Sequence, residues 1–580
     1  MIGAGDAEAR TRIVEGPGRQ SFFVEAAAGT GKTSILVERT VALLTRGEAE
    51  VDRLAVITFT RKAAGELKLR LRERLERARA RAQGEARRRL ERSIAHLEDA
   101  VIDTIHGFCG HILRARPIEA GVNPEMTVGE TDPARIRRVL DRWFAEQLSD
   151  PPPGLRRFLA RARVGWGGRT PLDALAALTS FALERRELDA PWPRPRIDET
   201  VVVETLRGRV EALAEILARG EAKDPLTLAL APLRETAEAL AEAPLDPAMA
   251  EARLIALAGD LDQALKPRAR LERGFFLEDL PAARVVAQAD ALRTDLKELA
   301  RLSGQDVAAL LREEIRDVVA RYERLCRQTA HLDYDELLVR TRDLLRDRPE
   351  ARAAIAERFS HVLVDELQDT DPVQTEIVLG LHAEGRGSVT VVGDPKQSIY
   401  GFRRADPASY EAAREQLLAR GAERIELGTS HRSVRPLQDF VNATFGPRFE
   451  AEDGGPRYVP LSGGPDPIPD QPCLVALPAA WPVDGRGRVT ARQVRASHPE
   501  DVAGFVAWLV RQSGWRVREG AERRPVEARD VCLVFRNFTL NGELMTAPFQ
   551  AALEARGIEN VLVGARVLHR RDEIEAALTA

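Results

Sequence analysis

The stretch Ala26-Ala27-Ala28-Gly29-Thr30-Gly31-Lys32-Thr33 decides how this chain is read. An apolar run at 21–25 precedes it, an amphipathic helical pattern from Ser34 to about Arg46 follows, and a second apolar run, LAVITF, occupies 54–59. Strand, glycine-rich turn, helix and strand in that order open a parallel α/β sheet. Small residues in such a turn let successive backbone N–H groups curl around an anion; the lysine reaches the outer phosphates and the following hydroxyl ligates Mg²⁺. Ala26 through Thr33 are therefore the expected nucleotide cradle, with Lys32 as its cation and Thr33 as a metal ligand. Ala26 departs from the strict pattern, which begins with glycine.

Composition narrows the alternatives. At ~150 residues per domain the chain has room for about four structural units. Its 580 residues are 44% apolar and 30% charged, with 86 Lys+Arg against 90 Asp+Glu and a formal charge of −4. That balance excludes a bulk-basic coat protein and leaves room for a local basic groove. Only seven of the 86 cations are lysines, so each lysine is a place to look. Four scattered cysteines form no C-x-x-C pair, so no zinc or iron–sulfur site is expected, and a reducing compartment fits. The N-terminus lacks the apolar core of a signal peptide and no run reaches the ~18 apolar residues of a membrane span. A cytoplasmic protein without membrane contact is the expectation.

A phosphate loop needs a metal-binding acid on a neighbouring strand. The run His361-Val-Leu-Val-Asp365-Glu366 supplies one: Asp365 to hold Mg²⁺ and Glu366 to polarise the attacking water. Paired acids after an apolar run are more often a helix start, but a dense polar run, Leu367 to Gln374, follows here. A further strand at 388–393 ends in Gly-Asp, and Gln397 lies just beyond it, where a neutral amide can sense a γ-phosphate without adding charge. Asp394 reads equally well as a turn residue. Tyr400 and Phe402 sit on a polar, arginine-rich segment where aromatics can stack on unpaired bases. Between 61 and 92, 13 Lys or Arg face 5 Glu at helical spacing. This is a solvated helix face beyond Arg74 and a nucleic-acid surface from Arg61 to Lys68.

These segments resemble the motifs of the UvrD/Rep-like helicases of superfamily 1. Asp365-Glu-Leu-Gln-Asp-Thr370 is similar to motif II, and Gly393-Asp-Pro-Lys-Gln-Ser-Ile-Tyr-Gly-Phe-Arg403 to motif III. Ile57 to Ala64 resembles motif Ia, Asp103 to Cys109 the DNA-contacting motif after it, and Leu427 to Ser433 motif IV. Lys32, Lys62 and Lys396 all fall inside this set. The resemblance implies ATP as substrate with Mg²⁺, catalytic roles for Lys32, Asp365, Glu366, Gln397 and Arg432, and base stacking by Phe59, Tyr400 and Phe402. It makes Thr60, Arg61, Lys62 and His106 contacts to the phosphate backbone, and places His431 where the family often has an aromatic against adenine. The upstream glutamine that reads adenine in many relatives is missing from the corresponding Asp6-Ala-Glu-Ala-Arg10.

The implied architecture is α/β, with RecA-like P-loop domains and a large helical insertion. Residues 1–115 and 331–425 would form the first RecA-like domain, 116–330 a DNA-binding helical insertion with proline-rich joints at 151–153 and 191–195, and 426–580 the incomplete start of a second. Strands are expected at 473–477 and 531–535, with helices at about 499–512 and at 571–580. The insertion and the phrase Asp333-Tyr-Asp-Glu-Leu337 resemble the RecB/AddA-like branch. That branch implies 3′-to-5′ movement on single-stranded DNA, unwinding of duplex DNA, double-strand-break repair and, as partner, a second helicase–nuclease subunit. The alternative is a DNA-binding scaffold that has lost ATPase function within such a complex; the intact Lys32, Asp365, Glu366 and Gln397 argue against it.

Overall fold

The computed structural model describes residues 4–563 except 166–169, 187–189, 196–198, 242–245, 267–270, 274, 383–386, 451–456, 478–487, 489–490, 521 and 541–542. The expected helix at 571–580 lies outside the described residues.

Six short apolar runs pair into one parallel sheet: β1 (Phe22–Ala26), β2 (Leu54–Thr58), β3 (Val101–Thr104), β4 (His361–Val364), β5 (Ser388–Gly393) and β6 (Glu423–Leu427), in the order β6-β1-β5-β4-β2-β3. Alternate residues of each strand enter different cores. Phe23, Ala55, Ile57, Val362, Val364 and Val391 pack on one face; Phe22, Val24, Leu54, Val56, Leu363 and Val392 pack on the other. A sheet buried on both faces has no use for polar alternation, which explains why its strands read as near-continuous apolar runs. The fold is therefore α/β, as expected. Strand β6 carries the first sheet through Leu427 and pairs with β1 over its whole length, so it straddles position 425, where the sequence suggested a domain boundary.

Helix α1 (Ala4–Glu15) packs on β6 and on α2 (Lys32–Arg46), and α3 (Arg61–Arg81) follows β2. Arg39 of α2 is fully buried and holds the turn between α1 and β1 by donating to the carbonyls of Ile13, Gly16, Pro17 and Gln20 at 2.7–3.1 Å.

Between helix Ile105–Ala115 and the return to the sheet the chain is mainly helical. Its base is closed by a parallel pairing of Thr127–Gly129 with His331–Asp333. The 47-residue helix Ala282–Gln328 is its spine, about 70 Å long at 1.5 Å per residue. Two separate cores line that spine, one from Val203 to Leu299 and one from Val139 to Val318.

Two expected strands do not form. Residues 473–477 and 531–535 run without strand pairing. An extended apolar run becomes a strand only with a hydrogen-bonded neighbour, and no named strand lies beside either. Val531 and Leu533 instead pack on a small core with Ala503, Val506 and Leu553. The helix expected at about 499–512 is present as Ala491–Arg511 and contains Pro499.

Candidate nucleotide and nucleic-acid site

Every predicted site residue lies beyond the carboxyl end of a sheet strand, the edge at which open α/β sheets bind ligands. Ala26 is the last residue of β1, 1% exposed and paired with Leu427 in β6. Its backbone is an ordinary strand conformation, so the position makes no demand for glycine. The demand falls on Gly29 and Gly31, whose φ values are 77° and 83°. Ala27 and Ala28 lead into that curl, and Thr30 closes it by donating its hydroxyl to the Ala27 carbonyl at 2.8 Å. Lys32 and Thr33 then open α2.

Four motifs meet at this loop. Lys32 Nζ, buried, donates to Glu366 Oε2 at 2.8 Å and to Gln397 Oε1 at 3.1 Å, and Thr33 Oγ1 donates to Asp365 Oδ2 at 2.9 Å. Asp394 is both things the sequence allowed: it caps the short turn Pro395–Gln397 and it accepts from the Gln397 amide at 2.7 Å, which fixes that side chain. Lys396 donates to the other Asp394 oxygen at 2.8 Å. Gln368, to which the sequence assigned no role, ties the two acidic loops together. Its amide donates to Glu366 Oε2 at 2.7 Å, and its oxygen accepts from the Asp394 N–H at 2.9 Å. Glu366 holds a left-handed backbone, φ 56°, one of four non-glycine residues that do so among the described residues. Strain of this kind costs ~1–3 kcal/mol and persists where the surroundings over-determine it.

Arg432 stands beside the same loop. A Cβ on Gly29 would lie 2.7 Å from Arg432 Cβ, and the His431 N–H donates to the Gly29 carbonyl at 2.8 Å. The His431 and Arg432 side chains are both exposed. Asp6 and Arg10, where the adenine-reading glutamine is missing, also reach this region. Asp6 accepts from the Thr429 N–H at 2.8 Å, and Arg10 donates to the Thr30 carbonyl. Only their three-dimensional placement reveals this, because Asp and Arg on a polar N-terminal helix carry no sequence signal.

The electrostatics suit a cation. Asp365 is 5% exposed, and burial together with the neighbouring Glu366 charge pushes its carboxyl up to about 6, against the lowering effect of Thr33 and Lys32. Its Oδ1 is buried without a hydrogen-bond partner. A buried carboxylate with one bare oxygen beside a threonine hydroxyl is a hard-oxygen donor pair, the kind Mg²⁺ uses when substrate phosphates complete its shell. Among the described residues no cluster of three or more His, Cys, Asp or Glu forms a closed metal cage.

A second surface adjoins the first. Phe59, just past β2, lies 4.6 Å from Tyr400 between ring centroids, and Tyr400 lies 5.6 Å from Phe402. The Arg403 guanidinium sits 5.5–5.9 Å from all three rings. Phe402 is 80% exposed, which for a phenylalanine in the middle of a cluster calls for a partner. Beside it two helices begin. Thr60 caps α3, accepting from the Ala63 N–H at 3.1 Å, so its hydroxyl is engaged in the fold; Arg61 and Lys62 form the exposed first turn. Thr104 caps Ile105–Ala115, placing His106 on the first turn against Tyr334. Arg61, His106, Arg114 and Tyr334 line one pocket of about 360 Å³. Burial, and to a lesser degree Arg61, hold the His106 imidazolium down to about pKa 4, so at neutral pH it offers a neutral hydrogen bond rather than a charge. Farther along α3, Arg70–Glu66, Arg72–Glu76 and Arg77–Glu73 pair at 3.5–3.7 Å in i,i+4 register, a solvated face.

A glycine-rich loop after β1, a lysine held by a strand-end glutamate, and a threonine–aspartate pair define a P-loop nucleoside-triphosphatase. The model of the UvrD/REP helicase N-terminal domain family matches residues 7–417. The chain belongs to that family. It is 32% identical over 492 residues to an ATP-dependent helicase/nuclease subunit of Desulforudis audaxviator, covering 73% of this chain and 38% of that protein. Proteins of the same name from Geobacillus kaustophilus and Lactobacillus delbrueckii subsp. bulgaricus are 30% and 28% identical over 487 and 500 residues, covering 74% and 77% of this chain. The chain spans 38–40% of the length of these curated relatives. No described helix is long and apolar enough to cross a membrane.

Proposed function

We propose that this chain hydrolyses ATP to move along single-stranded DNA in the 3′-to-5′ direction and unwinds duplex DNA in double-strand-break repair, working in the cytoplasm with a second helicase–nuclease subunit. One observation carries the reading: Lys32, Thr33, Asp365, Glu366 and Gln397 converge within hydrogen-bond reach of one another, and the loop that delivers Gln397 also delivers Tyr400 and Phe402. The relatives are named as subunits of an ATP-dependent helicase/nuclease, which supports the activity, the repair role and the partner.

In this reading the backbone N–H groups of Gly29 to Thr33 and Lys32 Nζ receive the phosphates. Thr33 and Asp365 would hold Mg²⁺, which when bound neutralises charge on the outer phosphates. Lys32 exchanges its contacts with Glu366 and Gln397 for the γ-phosphate, and Glu366, released, takes a proton from the attacking water. Gln397 turns its free amide oxygen toward the reacting centre while Asp394 keeps its nitrogen end fixed. Arg432, exposed beside Gly29, approaches the transferred phosphoryl group and stabilises its charge. Strand movement follows because Tyr400 and Phe402 stand three and five residues beyond Gln397, with Phe59 stacked behind them and Thr60, Arg61, Lys62 and His106 steadying the backbone. The residues 116–330 supply a further DNA surface, and 426–580 begin a second RecA-like domain.

The test is ATPase activity of this chain with and without single-stranded DNA. Hydrolysis stimulated by DNA and abolished in Lys32→Ala is expected; a Lys32→Ala chain as active as the parent would refute the reading. Strand displacement on 3′-tailed and 5′-tailed duplexes decides the polarity.

A further inference from the structure

The helical segment carries an aromatic and cationic groove that the proposed mechanism does not use. It has a volume of about 440 Å³ and lies between helix Pro171–Glu184, the long helix Ala282–Gln328 and the segment around Trp192. Phe181 and Trp192 meet edge to face with ring centroids 6.2 Å apart, each more than a third exposed. The Arg185 guanidinium lies 4.0 Å over the Phe181 ring, and that of Arg312 lies 5.3 Å from the Trp192 centroid. Four arginines (185, 186, 312 and 316) line the groove against a single acid, Glu323.

We propose that this groove binds an unpaired nucleotide of single-stranded DNA, its base stacked on the Phe181–Trp192 pair and its phosphate held by Arg185 and Arg316. Three observations select this occupant. Rings and guanidinium planes together form the stacking platform that unpaired bases use irrespective of sequence. The excess of arginine suits a phosphodiester and disfavours an apolar helix or a basic partner. The groove is also joined to the motif III aromatics: Arg404, two residues after Phe402, donates to the carbonyl of Glu184, the neighbour of Arg185. Arg404 itself has a left-handed backbone, φ 69°, so the end of that loop is set toward this contact. The proposal rests on the reading of Phe59, Tyr400 and Phe402 as a strand-binding surface and extends it onto the insertion.

Fluorescence anisotropy with labelled oligothymidylates tests it: a short oligonucleotide that spans only the motif III cluster, and a longer one that can reach both surfaces. Stacking on one base is worth about tenfold or more in affinity. The double variant Phe181→Ala/Trp192→Ala is expected to bind the long oligonucleotide about tenfold more weakly while binding the short one, and hydrolysing ATP without DNA, as the parent does. Arg185→Glu should weaken the long oligonucleotide alone and flatten its salt dependence, and Trp192→Phe should restore most of the affinity. If the groove variants bind both oligonucleotides like the parent while Phe402→Ala weakens both, the groove proposal is overturned and the motif III reading stands. If Phe402→Ala also leaves both unchanged, the strand-binding surface itself is wrong.

Discussion

Replacing Gly29 with alanine is the sharpest test of how the phosphate loop and the segment before Arg432 fit together. Two costs add. At φ 77° an L-residue lies in the left-handed region, at ~1–2 kcal/mol. The new Cβ would also stand 2.6 Å from Ser430 Oγ and 2.7 Å from Arg432 Cβ, an overlap that has to be relieved by backbone shifts of ~1–3 kcal/mol. Their sum, about 2–5 kcal/mol, exceeds any plausible local repacking gain. The loop would surrender its curl or the 430–432 segment would lift away, and either change spoils the phosphate cradle. Nucleotide affinity in Gly29→Ala is therefore expected to fall by at least ~30-fold at 1.4 kcal/mol per tenfold. Equilibrium titration with a fluorescent ATP analogue reads that loss. Ser430→Ala separates the two terms, because Ser430 Oγ is buried without a partner and its removal is cheap. Added to Gly29→Ala, it should restore part of the steric loss and none of the backbone strain. A Gly29→Ala chain that binds nucleotide like the parent would refute the packing described here, as would a double variant with no recovery.

Three further substitutions probe other parts of the molecule. Phe402→Ala should leave the denaturation midpoint within about 0.5 kcal/mol of the parent, since the ring is exposed, yet weaken single-stranded DNA binding by ~1–3 kcal/mol in anisotropy titrations. Arg39→Met strips four backbone carbonyls of their donor and should destabilise the sheet domain by about 2–5 kcal/mol in chemical denaturation, with hydrogen exchange accelerating first at residues 13–20. Asp371 is buried, which pushes its carboxyl up to about 6, and it caps Pro372–Leu381 through the Gln374 N–H. Its native pKa lies above the unfolded value of about 3.9, so the native state binds the extra proton and stability falls as pH rises from about 4 to 6. Asp371→Asn keeps the cap and should gain about 1–3 kcal/mol at pH 7.5, a gain that disappears below about pH 4 when urea midpoints are compared across pH.

The parts of this fold that were legible in the sequence share one property: the information is local. A run such as His361-Val-Leu-Val is apolar because both of its faces are buried, and the polar loop after it begins where the sheet edge meets solvent, so strand and site announce themselves together. Residues 473–477 and 531–535 show the limit of that logic. They have the same composition as real strands, but pairing depends on a neighbour that no local pattern can specify. Long-range ties were invisible for the same reason. Thr127–Gly129 meets His331–Asp333 across some two hundred residues, and Gln368 reads as one polar residue among many until Glu366 and Asp394 are seen on either side of it. Ala26 is the reverse case: a departure from pattern that looked like a defect is a strand residue at a position with no conformational need for glycine.

The loop from Gly393 to Arg404 shows why the two halves of the site belong to one device. Its first part is clamped by Asp394 to Gln397 and Lys396, and the Ser398 hydroxyl donates to the Gln368 carbonyl at 3.0 Å. Its far end is clamped by Arg404 to the Glu184 carbonyl on the insertion. Between those clamps lie Ile399 to Arg403, which include the exposed Phe402 and the guanidinium shared by all three rings. Lys32 has three N–H donors, of which Glu366 and Gln397 take two. Any ligand that recruits Lys32 must loosen Gln397, and the slack has only five residues in which to appear before the second clamp. A rearrangement at the phosphate loop is thereby delivered to Tyr400 and Phe402 rather than dissipated along the chain. Lengthening the loop between Ser398 and Tyr400 by two glycines should leave nucleotide binding intact while uncoupling ATP hydrolysis from DNA. Full DNA stimulation of ATPase activity in that variant would show that the coupling runs elsewhere.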